Sequence, residues 1–343
     1  MTNLPIDWRF VVEEAVRRRK DEGHTQRSLA ALAGVSVPTV NAFEQGEINL
    51  RFERIVAILD ALGLFVQSGR TDSLQSFIYD ARTRWHGLIT DLPDDASARQ
   101  SQGHSEQAYA IDGVEQLPTL SKLRELLARA PKTSGWTPFW VPTKDGIKPT
   151  VREGLIECWL GKPEVDRVFD DPAHSDFWQV TRDGTAYLQR GYQEDGPDFE
   201  PATIFDLTLP IWRTGEVLLH AAWLARELGA ETSTKIRFVA RYTGLAGREL
   251  LAWAKPLLRL ALEERHRARS DSVELGATVT VGDIEDRLAT TVEGILRPLY
   301  ERFDGYAPPA ELFAGQVDDL LRNLSDQGGA ALSSRSISPR ADR

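Results

Sequence analysis

Along the first seventy residues, apolar positions recur at intervals of three and four. Phe10, Val11, Ala15 and Val16 give the inner side of a helix over about residues 7–22, ended by Gly23. Thr25 is a good N-cap for a short second helix with Leu29, Ala30 and Leu32 inside. Gly34 supplies the positive φ of a tight reversal. Ser36 caps a third helix that tolerates Pro38 in its first turn, with Val40 and Phe43 inside and Gly46 at its end. A fourth helix, with Asn49 as candidate cap, carries Phe52, Ile55, Val56, Ile58, Leu59 and Leu62 on one face. Gly63 stops it, and "LFVQS" reads as a short strand.

The pattern then changes. Residues 71–90 suit another helix, and 91–107, "DLPDDASARQSQGHSEQ", read as a polar linker. From Leu117 onward, "WTPFWV", "LIECWL", "DFWQVT" and "TAYLQRGY" are short aromatic and β-branched runs broken by Gly, Pro and Asp, and they read as strands. "LTLPIWRTGEVLLHAAWLARELG" is a long amphipathic helix stopped by Gly229. "TKIRFVARYTGL", "LLAWA" and "DSVELGATVTV" return to strand. Ile284, Leu288, Val292, Ile295, Leu299 and Phe303 then line a helix with Asp283 as N-cap, and a last helix follows at about 308–323. The expected chain is multidomain: an all-α domain (1–70), a helix and linker (71–116), a larger α+β domain with a mostly antiparallel sheet (117–325), and a disordered tail (326–343).

The stretch "TQRSLAALAGVSVPTVNAFEQG…LRFERIVAILDALGL" resembles the lambda-repressor-like Cro/CI (XRE) helix-turn-helix family over about residues 8–66. The T-Q pair, L-A-x-x-A-G-V-S, the T-V pair, E-x-G and the closing A-L-G occur in order, which together is far more specific than any one piece. The trailing strand is similar to the HipB-like branch, whose strands pair across a dimer.

The resemblance implies binding of double-stranded DNA, with Gln26 on a phosphate. Val37, Pro38, Asn41 and Ala42 would face base edges behind the Ser36 cap, and Thr39 would lie at the sugar–phosphate backbone. Val37 and Pro38 depart from the usual pattern, because neither can form bidentate bonds to a base. Thymine-methyl contact and shape readout remain, with Asn41 as the polar reader. Glu47 stands where many relatives place a basic residue, and Arg51 and Arg54 can compensate at phosphates. The basic run Arg17–Lys20 suits phosphates too, although a charged helix face is ordinarily just solvated. The competing reading is a four-helix domain used for protein contacts.

Charge sharpens this division. The 343 residues carry a net charge of -10. Basic and acidic residues balance within 1–70, so the whole deficit lies downstream and DNA contact is expected from the N-terminal segment. Cys158 is the single cysteine, which excludes an intrachain disulfide and a multi-cysteine zinc site. The N-terminus does not read as a secretory signal, and no apolar run approaches the ~20 residues of a membrane span. A soluble cytoplasmic protein is expected.

The region 117–305 resembles the C-terminal half of some AlbA-type (Schlafen-related) putative DNA-binding proteins, which implies a reusable module without an assigned activity. It holds no P-loop, no G-x-S-x-G and no H-E-x-x-H, so neither an enzyme nor a cofactor or metal is expected. "HSD" at 174–176 reads better as a loop cap than as a catalytic fragment. Cys158 reads better as a buried hydrophobe than as a redox thiol, and His220 as a core histidine. Trp178, Arg190, Tyr192, Trp212, Arg213 and Arg241, with Tyr242, could line a pocket for a planar anion. The better reading is a tryptophan-rich core whose arginines pair with carboxylates.

The combined expectation is a dimeric regulator, a repressor on a palindromic operator, whose body senses a ligand or stabilises the dimer. The alternative is an antitoxin-like or defence-associated regulator whose body binds a partner protein.

Overall fold

The computed structural model describes residues 8–333 apart from 22–23, 48, 63, 65–69, 116, 134–136, 166–170, 256–261 and 263. The chain forms two compact units, Met1–Ser73 and Leu74–Arg343. The first holds helices α1 (Trp8–Asp21), α2 (Gln26–Leu32), α3 (Val37–Glu44) and α4 (Phe52–Ala61). Thr25 and Ser36 cap α2 and α3 by accepting from the Ser28 and Thr39 amides, and Gly34 takes a φ of 62° in the turn between them. Val12, Ala15, Leu29, Ala30, Val40, Phe43, Ile58, Leu59 and Leu62 make the core.

Three sequence expectations fail in this unit. Phe10 and Phe52 are exposed, at 66% and 72%, and are not core residues. Trp8 takes the place on α1 expected for Phe10, meeting Phe43 edge-on at 5.6 Å and donating from Nε1 to the Gly46 carbonyl. Helix α4 begins at Phe52 with Arg51 at its boundary, whose carbonyl accepts from Arg54 and Ile55, so Asn49 is not its cap. Except for Leu64, the expected "LFVQS" strand lies outside the described residues.

The second unit is built on a seven-stranded antiparallel sheet with the order β2-β3-β4-β5-β1-β7-β9. Its strands are β1 (His104–Ile111), β2 (Thr150–Arg152), β3 (Leu155–Trp159), β4 (Phe177–Thr181), β5 (Ala186–Gly191), β7 (Lys235–Tyr242) and β9 (Val273–Thr280). A separate parallel pair joins β6 (Ile204–Asp206) to β8 (Glu249–Leu251). Helix α5 (Arg70–Ile89) places Leu74, Ile78, Ala81, Trp85 and Ile89 against Ala108, Ala110, Trp159, Phe177 and Tyr187. The other face packs on α7 (Leu209–Glu227), α8 (Val281–Tyr300) and α9 (Ala310–Ser333), with α6 (Leu120–Ala128) beside them. Each large apolar side chain buried there stabilises the fold by roughly 1.5–3 kcal/mol.

The expected linker is not one. Residues 104–111 form an interior strand, β1, paired with β5 on one side and β7 on the other. Its polar Glu106 is buried but held by Arg82 at 2.6 Å, His104 at 3.3 Å and Arg241 at 3.5 Å. "WTPFWV" is not a strand: residues 138–139 turn, Phe139 sits at φ 54°, and the prolines at 138 and 142 cannot donate to a ladder. Thr280, not Asp283, is the N-cap of α8, and Asp283 answers from the third position in a capping box. Helix α9 runs through Ser333, so the first part of the expected tail is helical; residues 334–343 lie outside the described residues.

Candidate nucleic-acid interface

The geometry of the first unit follows from its caps and from one carboxylate. Glu44, at the end of α3, accepts from Arg19 Nε at 2.5 Å and Nη2 at 3.0 Å, and from Gln26 Nε2 at 2.8 Å. Helices α1, α2 and α3 are thereby fastened at one point. Arg19 also donates to the His24 carbonyl at 2.8 Å. With Val40 and Phe43 fully buried, the opposite side of α3 must face outward.

That outward side carries Val37, Pro38 and Asn41, all exposed, with Ala42 half-buried beside them. Val37 is 38% exposed. Ser36 is exposed at the cap, its hydroxyl 2.8 Å from that of Thr39. Thr39 itself is buried, so its side chain faces the cap, away from the position expected for a backbone contact. Gln26 is half-buried and bonded to Glu44; Arg27, Arg51 and Arg54 are exposed. Gln45 was missed from sequence. It stands one turn beyond Asn41, is exposed, and donates weakly to Asn41 Oδ1 at 3.4 Å. The four-residue spacing from Asn41 was the available signal.

The second unit does not bring the candidate ligand residues together as a stacking pocket. Trp178 is fully buried and donates from Nε1 to the Trp140 carbonyl. Arg190 forms a buried two-pronged pair with Asp176 at 2.9 and 2.6 Å. The Tyr192 hydroxyl donates to the Thr243 carbonyl at 2.8 Å. Trp212 donates to Gln316 with Lys255 over its ring at 5.1 Å. Arg213 meets Glu216 at 2.9 Å and Gln193 at 3.1 Å, and Arg241 meets Glu106. Arg190, Tyr192 and Arg213 do share a cavity with Tyr242, but its volume is about 30 Å³, room for water and not for a nucleotide.

Several other polar groups of this unit are spent internally. Asp206 accepts five bonds, from Thr208 N, Thr208 Oγ1 and Leu209 N at the start of α7 and from Trp253 N and Ala254 N. Arg248, fully buried, pairs with Asp195 at 2.8 and 2.7 Å and lies 4.7 Å over the Tyr192 ring. Burial raises Glu194 to about 7, and the neighbouring Asp206 carboxylate pushes it the same way. Burial lowers His220 to about 3, and its Nδ1 lies 2.9 Å from the Tyr109 hydroxyl. Burial pushes the Cys158 thiol up, and it donates to the Ile147 carbonyl. His174 bonds Asp171, the residue that caps its own turn.

Among the described residues, no group of three or more His, Cys, Asp and Glu is placed to hold a metal, and no helix is long and apolar enough to cross a membrane. No curated protein and no solved structure matches the chain. Residues 17–64 match the family model described as helix-turn-helix, a family that implies a DNA-binding transcription regulator. The N-terminal unit is a helix-turn-helix domain of the Cro/CI (XRE) type.

Proposed function

We propose that the chain is a sequence-specific, dimeric repressor that occupies a palindromic operator through α3, and that its larger unit serves assembly and not catalysis. The observation that carries this reading is the outward face of α3: Val37, Pro38, Asn41 and Gln45 stand exposed on a helix whose other side is the core. Asn41 and Gln45 offer amides suited to adenine, and Val37 and Pro38 offer apolar contact to thymine methyls. Arg27, Arg51 and Arg54 supply phosphate contacts, with Gln26 joining them if it leaves Glu44. A domain without excess positive charge gives modest affinity per site, so two reading helices must act together for useful occupancy.

The assembly role is favoured over sensing because the arginines and tryptophans that could hold a planar anion are paired with carboxylates or packed in the core. The test is selection of random duplex DNA on the full-length protein. Enriched inverted repeats with half-sites about one helical turn apart are expected. Enrichment of single, unpaired sites would remove the dimer from the reading, and no enrichment at all would remove the regulator.

A further inference from the structure

We propose that the cleft between α5 and the β2–β3 end of the sheet binds an uncharged nucleobase or nucleoside, a planar ring whose edge carries a hydrogen-bond donor beside an acceptor. The proposal goes beyond the reading of operator DNA and does not depend on it.

The apolar side of α5 packs on Ala108, Phe177 and Tyr187. Its flank, with Phe77, Arg84 and Gly87, stands over a cavity of about 600 Å³ whose other wall is Arg152 and Leu155 of β2 and β3. That volume lies within the range of small-ligand sites, roughly 300–1,000 Å³. The cavity at Arg190 and Arg213, about 30 Å³, does not.

The floor of the cleft is organised by one carboxylate. Leu155 and Glu157 are two residues apart on β3 and so point to one face of the sheet, and Gln179 stands opposite Glu157 on β4. Glu157, 6% exposed, accepts from Arg84 Nε at 3.2 and 3.1 Å, from Arg84 Nη2 at 2.9 Å and from Gln179 Nε2 at 2.8 Å. A carboxylate can only accept, so the Gln179 amide is held with its NH₂ group on Glu157 and its oxygen turned away. Among the described residues, Oε1 of Gln179 and Nη1 of Arg84 make no hydrogen bond. Gln179 is only 5% exposed, yet its Oε1 is not sealed from solvent, and both side chains line the cleft. The floor therefore holds an acceptor and a donor side by side, fixed before any ligand arrives. Phe77 and Leu155, both half-buried, add apolar surface.

The Watson–Crick edge of a nucleobase is the complement of this floor, a donor beside an acceptor on a flat ring. Charge selects the uncharged forms. Arg84 is answered by Glu157, Arg152 lies 3.3 Å from Glu153, and Asp80 adds a further carboxylate to the lining. No lining residue is a cation left to meet a phosphate.

Calorimetric titration of the full-length protein with adenosine, guanosine, cytidine and uridine tests this. At least one is expected to bind one-to-one with a Kd below ~1 mM, and its 5′-monophosphate more weakly. Gly87 offers a variant that fills the cleft and spares the fold. It lies three residues beyond Arg84 on α5, it lines the cleft, and a Cβ there meets nothing within 4 Å. Gly87→Leu should weaken binding at least about tenfold. Its melting temperature should hold or rise, because leucine is the better helix former. Gly294→Leu, on α8 and equally open at its Cβ, should bind as the wild type does. Binding of none of the four nucleosides, or a Gly87→Leu protein that binds as tightly as the wild type, overturns the proposal. Equal weakening by Gly294→Leu does so too. A monophosphate that binds more tightly than its nucleoside overturns the assignment to an uncharged ligand.

Discussion

Gln26 and Arg19 both donate to Glu44, so the last residue of the reading helix is tied to the helix before the turn and to the helix before that. Glu44→Ala removes the shared acceptor and leaves Arg19 without its carboxylate. A loss of about 1–3 kcal/mol is expected from urea denaturation. Gln26→Ala removes one donor and should cost less than that, while weakening every duplex by a similar factor. A larger loss for Gln26→Ala than for Glu44→Ala would show that the carboxylate is not the common fastening.

Asn41→Ala should act differently on DNA. A base-edge contact carries sequence information, so the variant should lose about 1–3 kcal/mol of discrimination at one base position and little non-specific affinity. Competition between the selected operator and single-base variants measures this. Equal, uniform losses for Asn41→Ala and Gln26→Ala would mean that α3 does not lie in the groove as proposed.

Arg248 is expected to be a stability determinant of the larger unit. Arg248→Met strands the buried Asp195 carboxylate and should cost about 3–5 kcal/mol. Replacing Asp195 by leucine in the same protein should restore part of the loss, because the uncompensated charge goes with it. Chemical denaturation of the single and double variants decides it; an additive double variant would rule out the pairing as the cause.

Stability should also depend on pH through Glu194. Its carboxyl titrates at about 7 in the folded chain and ordinarily at 4.5, so the folded state holds the proton more tightly. Its contribution is therefore full below pH 4.5 and is lost as pH rises through about 7, amounting to roughly 3 kcal/mol. Glu194→Gln keeps an acceptor for the Asp206 amide and removes this loss, so its advantage over the wild type should grow between pH 5 and pH 8. His220 has the opposite sign: held neutral down to about 3, it lets stability fall as pH drops below 6.5. Urea midpoints across this range would separate the two, and a flat Glu194→Gln difference would exclude the first.

The first unit was legible because its signals are local. Thr25, Gly34, Ser36 and Gly46 each act on a neighbouring turn, and the reading needed no distant partner. The error at Phe10 arose because periodicity marks an apolar position without saying that Trp8, two residues away, will take its place; Phe52 stands exposed at the first position of α4. In the larger unit, "HSEQ" at the start of β1 looked like linker because the residues that make Glu106 acceptable in a core, Arg82 and Arg241, lie on α5 and β7. The aromatic and arginine residues were visible as types, but pairs such as Arg190 with Asp176 exist only once β4 and β5 are side by side. Asp206 as the anchor for the start of α7 had a signal, since it lies three residues before Leu209.

The position of β1 has a consequence for how the chain is made. Its two neighbours are encoded about 75 and 124 residues after it. At synthesis rates of ~5–20 residues per second, β1 leaves the ribosome roughly 4–15 s before β5 and 6–25 s before β7. For that interval the segment that becomes an interior strand has neither of its pairing partners, and its backbone groups are open to other chains. Glu106 and Gln107, which made the segment look like a linker, are then the residues that keep it in water while it waits.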